Sequence, residues 1–219
     1  MEFSHKAPLE SMRGRIVRVS TDNDQKLLDE LRYKYSNPMI PEGIVAFKNH
    51  RFIDERGFFQ SDLNSIMLKN LGFNGFFQKN ISKSAAGVIR GMHWQTNNSG
   101  QTKLISCLQG SVIDVIVDLR VESKTYGSIN SFKLDSNEQN YLKIPVGFAH
   151  GFQALEDNTL FAYWVDAPFM PSDEMSMSPL SPELKIYWED LTQIVNPRDR
   201  NAVTFKEYFQ VFPIGLRND

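Results

Sequence analysis

The sequence predicts an all-β fold, a β-sandwich of jelly-roll type with a short helical N-terminal arm and a C-terminal helix. Three observations carry that expectation. From Gly43 onward, short runs rich in Val, Ile and Phe follow one another, separated by clusters of Gly, Asn, Ser and Asp. These runs, among them GIVAF, GVIRGMHW, TKLISCLQ, SVIDVIVDL, NYLKIP, GFQAL and TLFAYWV, recur about every ten residues, the spacing of an antiparallel sandwich or barrel. Within SVIDVIVDL the pattern alternates: Ile113, Val115, Val117 and Leu119 share one face, while Asp114 and Asp118 take the other. A jelly roll is the arrangement that uses so many short antiparallel strands in one domain.

The elements follow in order. Residues 1–40 read as an N-terminal extension and residues 41–219 as the domain proper. In DNDQKLLDELRYKY, Leu27, Leu28 and Leu31 lie at helical spacing with Asp22 or Asn23 placed to cap, which suits a packing or dimer-contact helix. NPMIP then interrupts with two prolines. The strand pattern runs from Gly43 and loosens after Pro168. There MPSDEMSMSPLSPE reads as a loop or lid, with SPEL a helix start, and NPRDRNAVTFKEYF carries a short final helix.

Composition narrows the function classes. With 219 residues, 41% hydrophobic and 23% charged, the chain suits one ordinary domain with a packed core. A net charge of −2 without a basic run argues against nucleic acid as the partner, though a few placed arginines are enough for a phosphate-bearing small ligand. Cys107 is the single cysteine and has no intramolecular partner for a disulfide. No stretch has the apolar core of a signal peptide or the length of a membrane span, so the expected location is the cytoplasm and no membrane partner is expected.

The chemistry centres on VIRGMHWQ, which holds His93, one of four histidines. Metal binding is the first reading to weigh. His150 in IPVGFAH is a second ligand candidate, but His5 and His50 lie outside the strand region, and two histidines without a third ligand make a poor transition-metal site. Proton transfer is the second. A neutral imidazole is a competent base at physiological pH. Lys103 in GQTKLIS can stabilise an enolate, Tyr163 in LFAYWV can return a proton, and Arg56 and Arg90 can hold a diphosphate through bidentate contacts. Taken singly, each has a blander alternative. A strand histidine or tyrosine is more often a core residue, and Arg56 beside Asp54 and Glu55 suits a surface ion pair of little energetic weight. There is also a geometric obstacle. Strict alternation sends Arg90 and His93 to opposite faces unless the strand bulges, and Gly91 is where that would happen.

Several stretches, in the same order, resemble one family: DERGFF, FFQKNISKSAAGVIRGMHWQ, QTKLISCLQGSVIDVIVDLR, SKTYG and YLKIPVGFAHGFQAL are similar to the dTDP-4-dehydrorhamnose 3,5-epimerases. The resemblance covers roughly Gly43 to Pro171. It implies a cupin-type jelly roll and a metal-free homodimer that acts without a cofactor on nucleotide-linked 4-keto-6-deoxy sugars. It implies His93 as base, Lys103 as enolate stabiliser and Tyr163 as acid, with Asp199 in NPRDRN pairing with the base. Arg56 and Arg90 would hold the diphosphate and sugar, and Gln78, Asn80, Ser82, His150 and Phe152 would complete the pocket. The reaction implied is proton abstraction next to the C4 ketone, at C3, C5 or both, with return from the other face.

The chain also departs from that family. Its first 35 or so residues have no counterpart in typical members. RGFF is followed by Gln60, Ser61 and Asp62 where a glutamate is usual, near the expected nucleotide end. Phe169 stands where a tyrosine often precedes the proline. These changes leave the proton-transfer set whole and put the base of the nucleotide and the choice of carbon in question. A 3-epimerase, a 3,4-ketoisomerase on another nucleotide sugar, and a non-catalytic sugar-nucleotide-binding cupin are the competing readings.

Overall fold

The structure, a computed structural model, describes residues 21–33, 39–49, 51–60, 62–96 and 99–211; His5, His50 and Ser61 lie outside them. In chain order its elements begin with α1 (Thr21–Leu31), β1 (Val45–Lys48), β2 (Phe52–Asp54), β3 (Gly57–Phe59), α2 (Ser65–Asn70), β4 (Gln78–Ser84), β5 (Val88–Gln95) and β6 (Lys103–Gln109). They continue with β7 (Ser111–Asp118), β8 (Ile129–Asp135), β9 (Asn140–Ile144), β10 (Phe148–Ala154), β11 (Thr159–Val165) and β12 (Glu174–Ser176). A 3-10 turn (Pro182–Leu184), β13 (Ile194–Val195), α3 (Pro197–Arg200) and α4 (Phe205–Val211) complete the described chain.

Two sheets face each other. One has the order β1-β9-β6-β11-β4, the other β12-β5-β10-β7-β8, with β13 joining β5 in parallel. Sequence neighbours mostly lie in opposite sheets, which is the crossover pattern of a jelly roll. The expected fold class is therefore what the chain adopts, and the final helix is present as two short helices. The loop after Pro168 contains β12 and the 3-10 turn.

Three apolar clusters explain why strands so short hold together. Between the sheets pack Ile105, Cys107, Ile116, Phe132, Leu142, Phe152 and Phe161. On the outer face of the six-stranded sheet, Ile113, Val115, Val117 and Leu119 meet Met177, Leu184 and Phe209 from the C-terminal segments. On the outer face of the other sheet, Phe47, Leu104, Tyr141 and Trp164 pack against Met67, Leu71 and Phe73 around α2. Both faces of β7 are thus covered, and all eight of its residues are buried. Its alternation is the one expected, but the face that carries Asp114 and Asp118 is the interior one.

The arm packs as a helix should. Leu27, Leu28 and Leu31 enter the inter-sheet core. Beyond the helix, Tyr33 N–H donates to Ser131 O at 2.7 Å, so the chain covers the open edge of β8. The VDLR and SKTYG motifs form a knot. Buried Asp118 accepts from Arg120 Nε at 2.9 Å and from the Ser123 and Thr125 hydroxyls at 2.7 Å, while Arg120 reaches Glu42 O at 2.9 Å. Among the described residues, no helix is long and apolar enough to cross a membrane.

Candidate active site

A cavity of about 260 Å³ opens between the sheets, on the side of β4 and β5, away from α1. Arg90, His93, His150 and Phe152 line it from the six-stranded sheet, and Ser82, Lys103, Phe161 and Tyr163 line it from the five-stranded one. The segment carrying Phe169 and Glu174, together with Asp199 of α3 and Asn196 at its N-cap, closes the outer wall.

The obstacle at Gly91 is resolved by a bulge. Pairing of β5 with β10 matches His93 to His150 and Arg90 to Phe152, so three steps on β5 answer two on β10. The extra residue turns Arg90 and His93 into the same cavity. Gly91 has φ +119°, and a Cβ there would meet Gly151 Cα at 2.5 Å and His150 O at 2.7 Å. Only glycine fits a backbone approach so close.

The bulge also frees the Gly91 N–H from the ladder, and it donates to Asp199 Oδ2 at 3.2 Å. Asp199 Oδ1 lies 2.7 Å from His93 Nε2. Asp199 is 1% exposed, whereas His93 is about a third exposed, toward the cavity. Burial alone would raise the Asp199 carboxyl. The bonds from His93 and Gly91 and the charge of Arg198 together hold it below its ordinary value. It is therefore an ionised partner that orients the ring and stabilises an imidazolium.

A second histidine–aspartate pair lies beside the first. His150 Nε2 is 2.6 Å from Asp114 Oδ2, and both residues are buried. Burial pushes the Asp114 carboxyl up and the His150 imidazole down, which favours the neutral forms of both. Lys103, also buried, donates from Nζ to His93 O at 3.1 Å. Burial lowers its ammonium to about 8, and the charge of Glu174, with that of Asp114 whenever it is ionised, opposes the shift. Tyr163 on β11 pairs in register with Asn80 and Ile105. Burial raises its phenol, which keeps it protonated and able to donate.

The remaining expected residues divide. Phe152 stacks on Phe161 with centroids 4.3 Å apart and forms the floor. Arg90 is braced at the mouth by Ser84 Oγ at 3.2 Å and Lys83 O at 3.3 Å. Gln78 and Asn80 are not among the lining side chains. They continue the Ser82 stripe of β4 outward and bond each other at 2.6 Å. Arg56 is not in the cavity either. It sits at the turn of the β2–β3 hairpin, paired with Asp54 through Nε at 3.1 Å, with all six strand residues exposed. Gln60 and Asp62, the departures after RGFF, bond the Tyr141 hydroxyl of β9 instead of reaching the cavity.

Several lining or supporting residues escaped sequence reasoning, among them Asp114, Gln95, Glu174 and Asn196. Asp114 had a signal, an acid in an apolar strand, but its partner was not legible. Gln95 is buried and clamps the wall, donating to Ser99 O at 2.6 Å and Pro168 O at 3.0 Å and accepting from Met170 N at 2.7 Å. It thereby holds the backbone on both sides of Phe169. Glu174 lines the wall and pairs with Arg198, and Asn196 caps α3. Glu174 carried no local pattern that would have singled it out, and Asn196 before Pro197 carried only the signature of a helix cap, which does not point to a site. Among the described residues, no three His, Cys, Asp or Glu side chains gather as a metal-ligand group.

Comparison with known proteins places this geometry. The model of the dTDP-4-dehydrorhamnose 3,5-epimerase family matches residues 39–207. A dTDP-4-dehydrorhamnose 3,5-epimerase of Shigella flexneri is 34% identical over 174 residues, 78% of this chain and 96% of that one. A dTDP-4-dehydrorhamnose 3-epimerase of Streptomyces niveus is 38% identical over 130 residues, 59% of this chain and 63% of that protein. The crystal structure of the 3,5-epimerase from Elizabethkingia anophelis superposes with a TM-score of 0.70 at 35% identity, covering 78% of this chain and 96% of that one.

Proposed function

The chain belongs to the dTDP-4-dehydrorhamnose 3,5-epimerase family, and we propose that its His93, Lys103, Tyr163 and Asp199 carry out the epimerisation. The protein is an isomerase, a nucleotide-sugar epimerase acting on a 4-keto-6-deoxyhexose. One observation supports the residue roles above all others. His93 with its carboxylate projects from one sheet and Tyr163 from the other, so base and acid face the cavity from opposite walls. Inversion at carbon needs that arrangement, because the proton leaves one face and returns to the other.

His93 takes the proton from the carbon next to the ketone, and the C–H electron pair forms an enolate. Asp199 stabilises the resulting imidazolium. The Lys103 ammonium stabilises the enolate oxygen in a site shielded from water. Tyr163 then donates its proton to the opposite face of the same carbon. The product is an isomer of the substrate, so no electron carrier enters the balance. His93 and Tyr163 re-equilibrate with solvent, which labels the inverted carbon.

The diphosphate lies at the mouth beside Arg90, and a homodimer completes that end. Phe52, Ile53, Phe58 and Phe59 of the hairpin, and Phe77 and Ile81 on or beside the edge strand β4, are each more than half exposed. A second copy laying its hairpin against β4 would bury both sets and bring Arg56 to the mouth near Gln78 and Asn80.

The test is proton NMR in deuterated water with dTDP-4-keto-6-deoxyglucose, following sugar positions 3 and 5. Loss of both signals is expected of a 3,5-epimerase, and loss at C3 alone of a 3-epimerase. If neither this sugar nor its CDP-, GDP- or UDP-linked counterparts exchange while still raising the thermal midpoint, the chain binds without catalysing and the residue roles fall.

A further inference from the structure

Asp199 can support His93 only while one of its oxygens stays aimed at the imidazole. It comes from α3, a four-residue helix at the surface, and that setting does not by itself fix a carboxylate. Two donors hold its other oxygen: Gly91 N at 3.2 Å and Asn196 Nδ2 at 3.3 Å. Asn196 is the residue that caps α3, its Oδ1 accepting from Asp199 N at 2.8 Å. A backbone N–H only donates, so the atom facing it is the amide oxygen. The amide nitrogen is therefore turned toward Asp199 Oδ2, and the orientation of Asn196 is forced by the cap itself. Asn196 also lines the cavity.

We propose that Asn196 is a positioning residue for the proton transfer. Its cap bond orients the amide, and the amide nitrogen locks the Asp199 carboxylate with Oδ1 on His93. The proposal rests on the reading of His93 as the base. Pro197 at the first helical position makes the turn rigid, so residues 196 and 199 meet with little freedom. An ordinary cap asks for less. Asn, Asp and Ser all accept the N–H three residues on about equally well. Only Asn also places a donor at Oδ2, because a serine oxygen ends one bond short and an aspartate offers an acceptor instead.

That difference separates a positioning role from a structural one. The charged or titratable groups around Asp199 are His93 from β5, Arg198 from α3 and Glu174 from β12. Arg90, Lys103, His150 and Tyr163 line the same cavity. The experiment compares N196S, N196D and, as reference, H93N, each as the full chain with dTDP-4-keto-6-deoxyglucose. It reads kcat, KM, the pH profile of kcat/KM and the thermal midpoint. N196S should lose on the order of tenfold in kcat with KM and thermal midpoint near wild type, since the cap remains while the carboxylate is freed. N196D should lose more, with the acid limb moved to higher pH, because two adjacent carboxylates hold a proton longer.

Wild-type kcat and an unshifted acid limb in both variants would overturn the proposal. So would losses of kcat in N196S that simply follow its thermal midpoint. An inactive H93N beside a fully active N196S sinks the Asn196 role alone, whereas an active H93N removes the reading beneath it.

Discussion

Two histidine–aspartate pairs flank the cavity, and their histidines, His93 and His150, are direct partners in the β5–β10 register. Their nitrogen–oxygen distances are nearly the same, 2.7 and 2.6 Å. Their surroundings are not. The Asp199 carboxylate receives a backbone N–H and an amide besides its histidine, and its ring partner reaches the cavity. Among the described residues Asp114 has His150 for one oxygen and no hydrogen-bond partner for the other, and its histidine is buried. The two carboxylates are thus tuned in opposite directions, Asp199 held below its ordinary value and Asp114 pushed above it. One pair is organised to carry charge during a reaction, and the other is pushed toward neutrality. Both histidines line the cavity, so the proposed choice of His93 as the base rests on the hydrogen bonding of its carboxylate and on its greater exposure, not on the presence of an aspartate.

The comparison can be broken most directly at its first member. His93→Asn should lower turnover by about 10⁴-fold or more while leaving folding nearly unchanged. Full activity in steady-state assays would transfer the base role elsewhere. Next, Asp199→Asn and Asp114→Asn should differ sharply. The first should cost about a thousandfold in kcat. The second replaces a carboxyl already biased toward its neutral form and should stay within about threefold, as the amide can take the same bond. Equal losses would mean that the two pairs act alike. Tyr163→Phe should cut product formation by about a hundredfold but retain much of the first exchange step. Deuterium uptake measured beside product would reveal equal losses if the phenol is not the acid.

Two smaller effects sharpen the picture. Arg56→Ala should raise KM about tenfold with little change in kcat, as expected for a diphosphate contact supplied across a dimer. Size-exclusion chromatography of a Phe58→Glu variant, which should be monomeric with a similar KM defect, checks the same link. The mildest prediction concerns pH. Lys103 loses its proton near 8 in the folded chain instead of the ordinary 10.5, because burial disfavours its charge. The kcat/KM profile should therefore fall above pH about 8 as the enolate loses its cation. Between about 8 and 10.5 the unfolded chain still holds the proton that the folded one has released, so this group makes stability rise with pH in that window. Lys103→Met should abolish that rise in pH-dependent unfolding.

Much of this was legible in the chain. The strand runs, their spacing and the alternation in SVIDVIVDL specify an all-β sandwich, because a period of two is a local property. The helix over Leu27, Leu28 and Leu31 was legible for the same reason. Gly91 was readable as a bulge once His93 and Arg90 were required on one face. Arg56 shows the limit. Its motif marks it as a binding residue, yet within one chain it sits on an exposed hairpin outside the cavity.

The short strands, the family motifs and the residue types able to move a proton were all written into the order of amino acids. The tertiary structure alone decided how those residues were paired. His93 meets Asp199 across 106 positions, and His150 meets Asp114 across 36. No periodicity links residues so far apart. The same holds for the burial that separates the two pairs, and for the wall that Gln95, Glu174 and Asn196 hold in place. Propensity and alternation act over a few residues, whereas a carboxylate's charge state depends on every group packed around it.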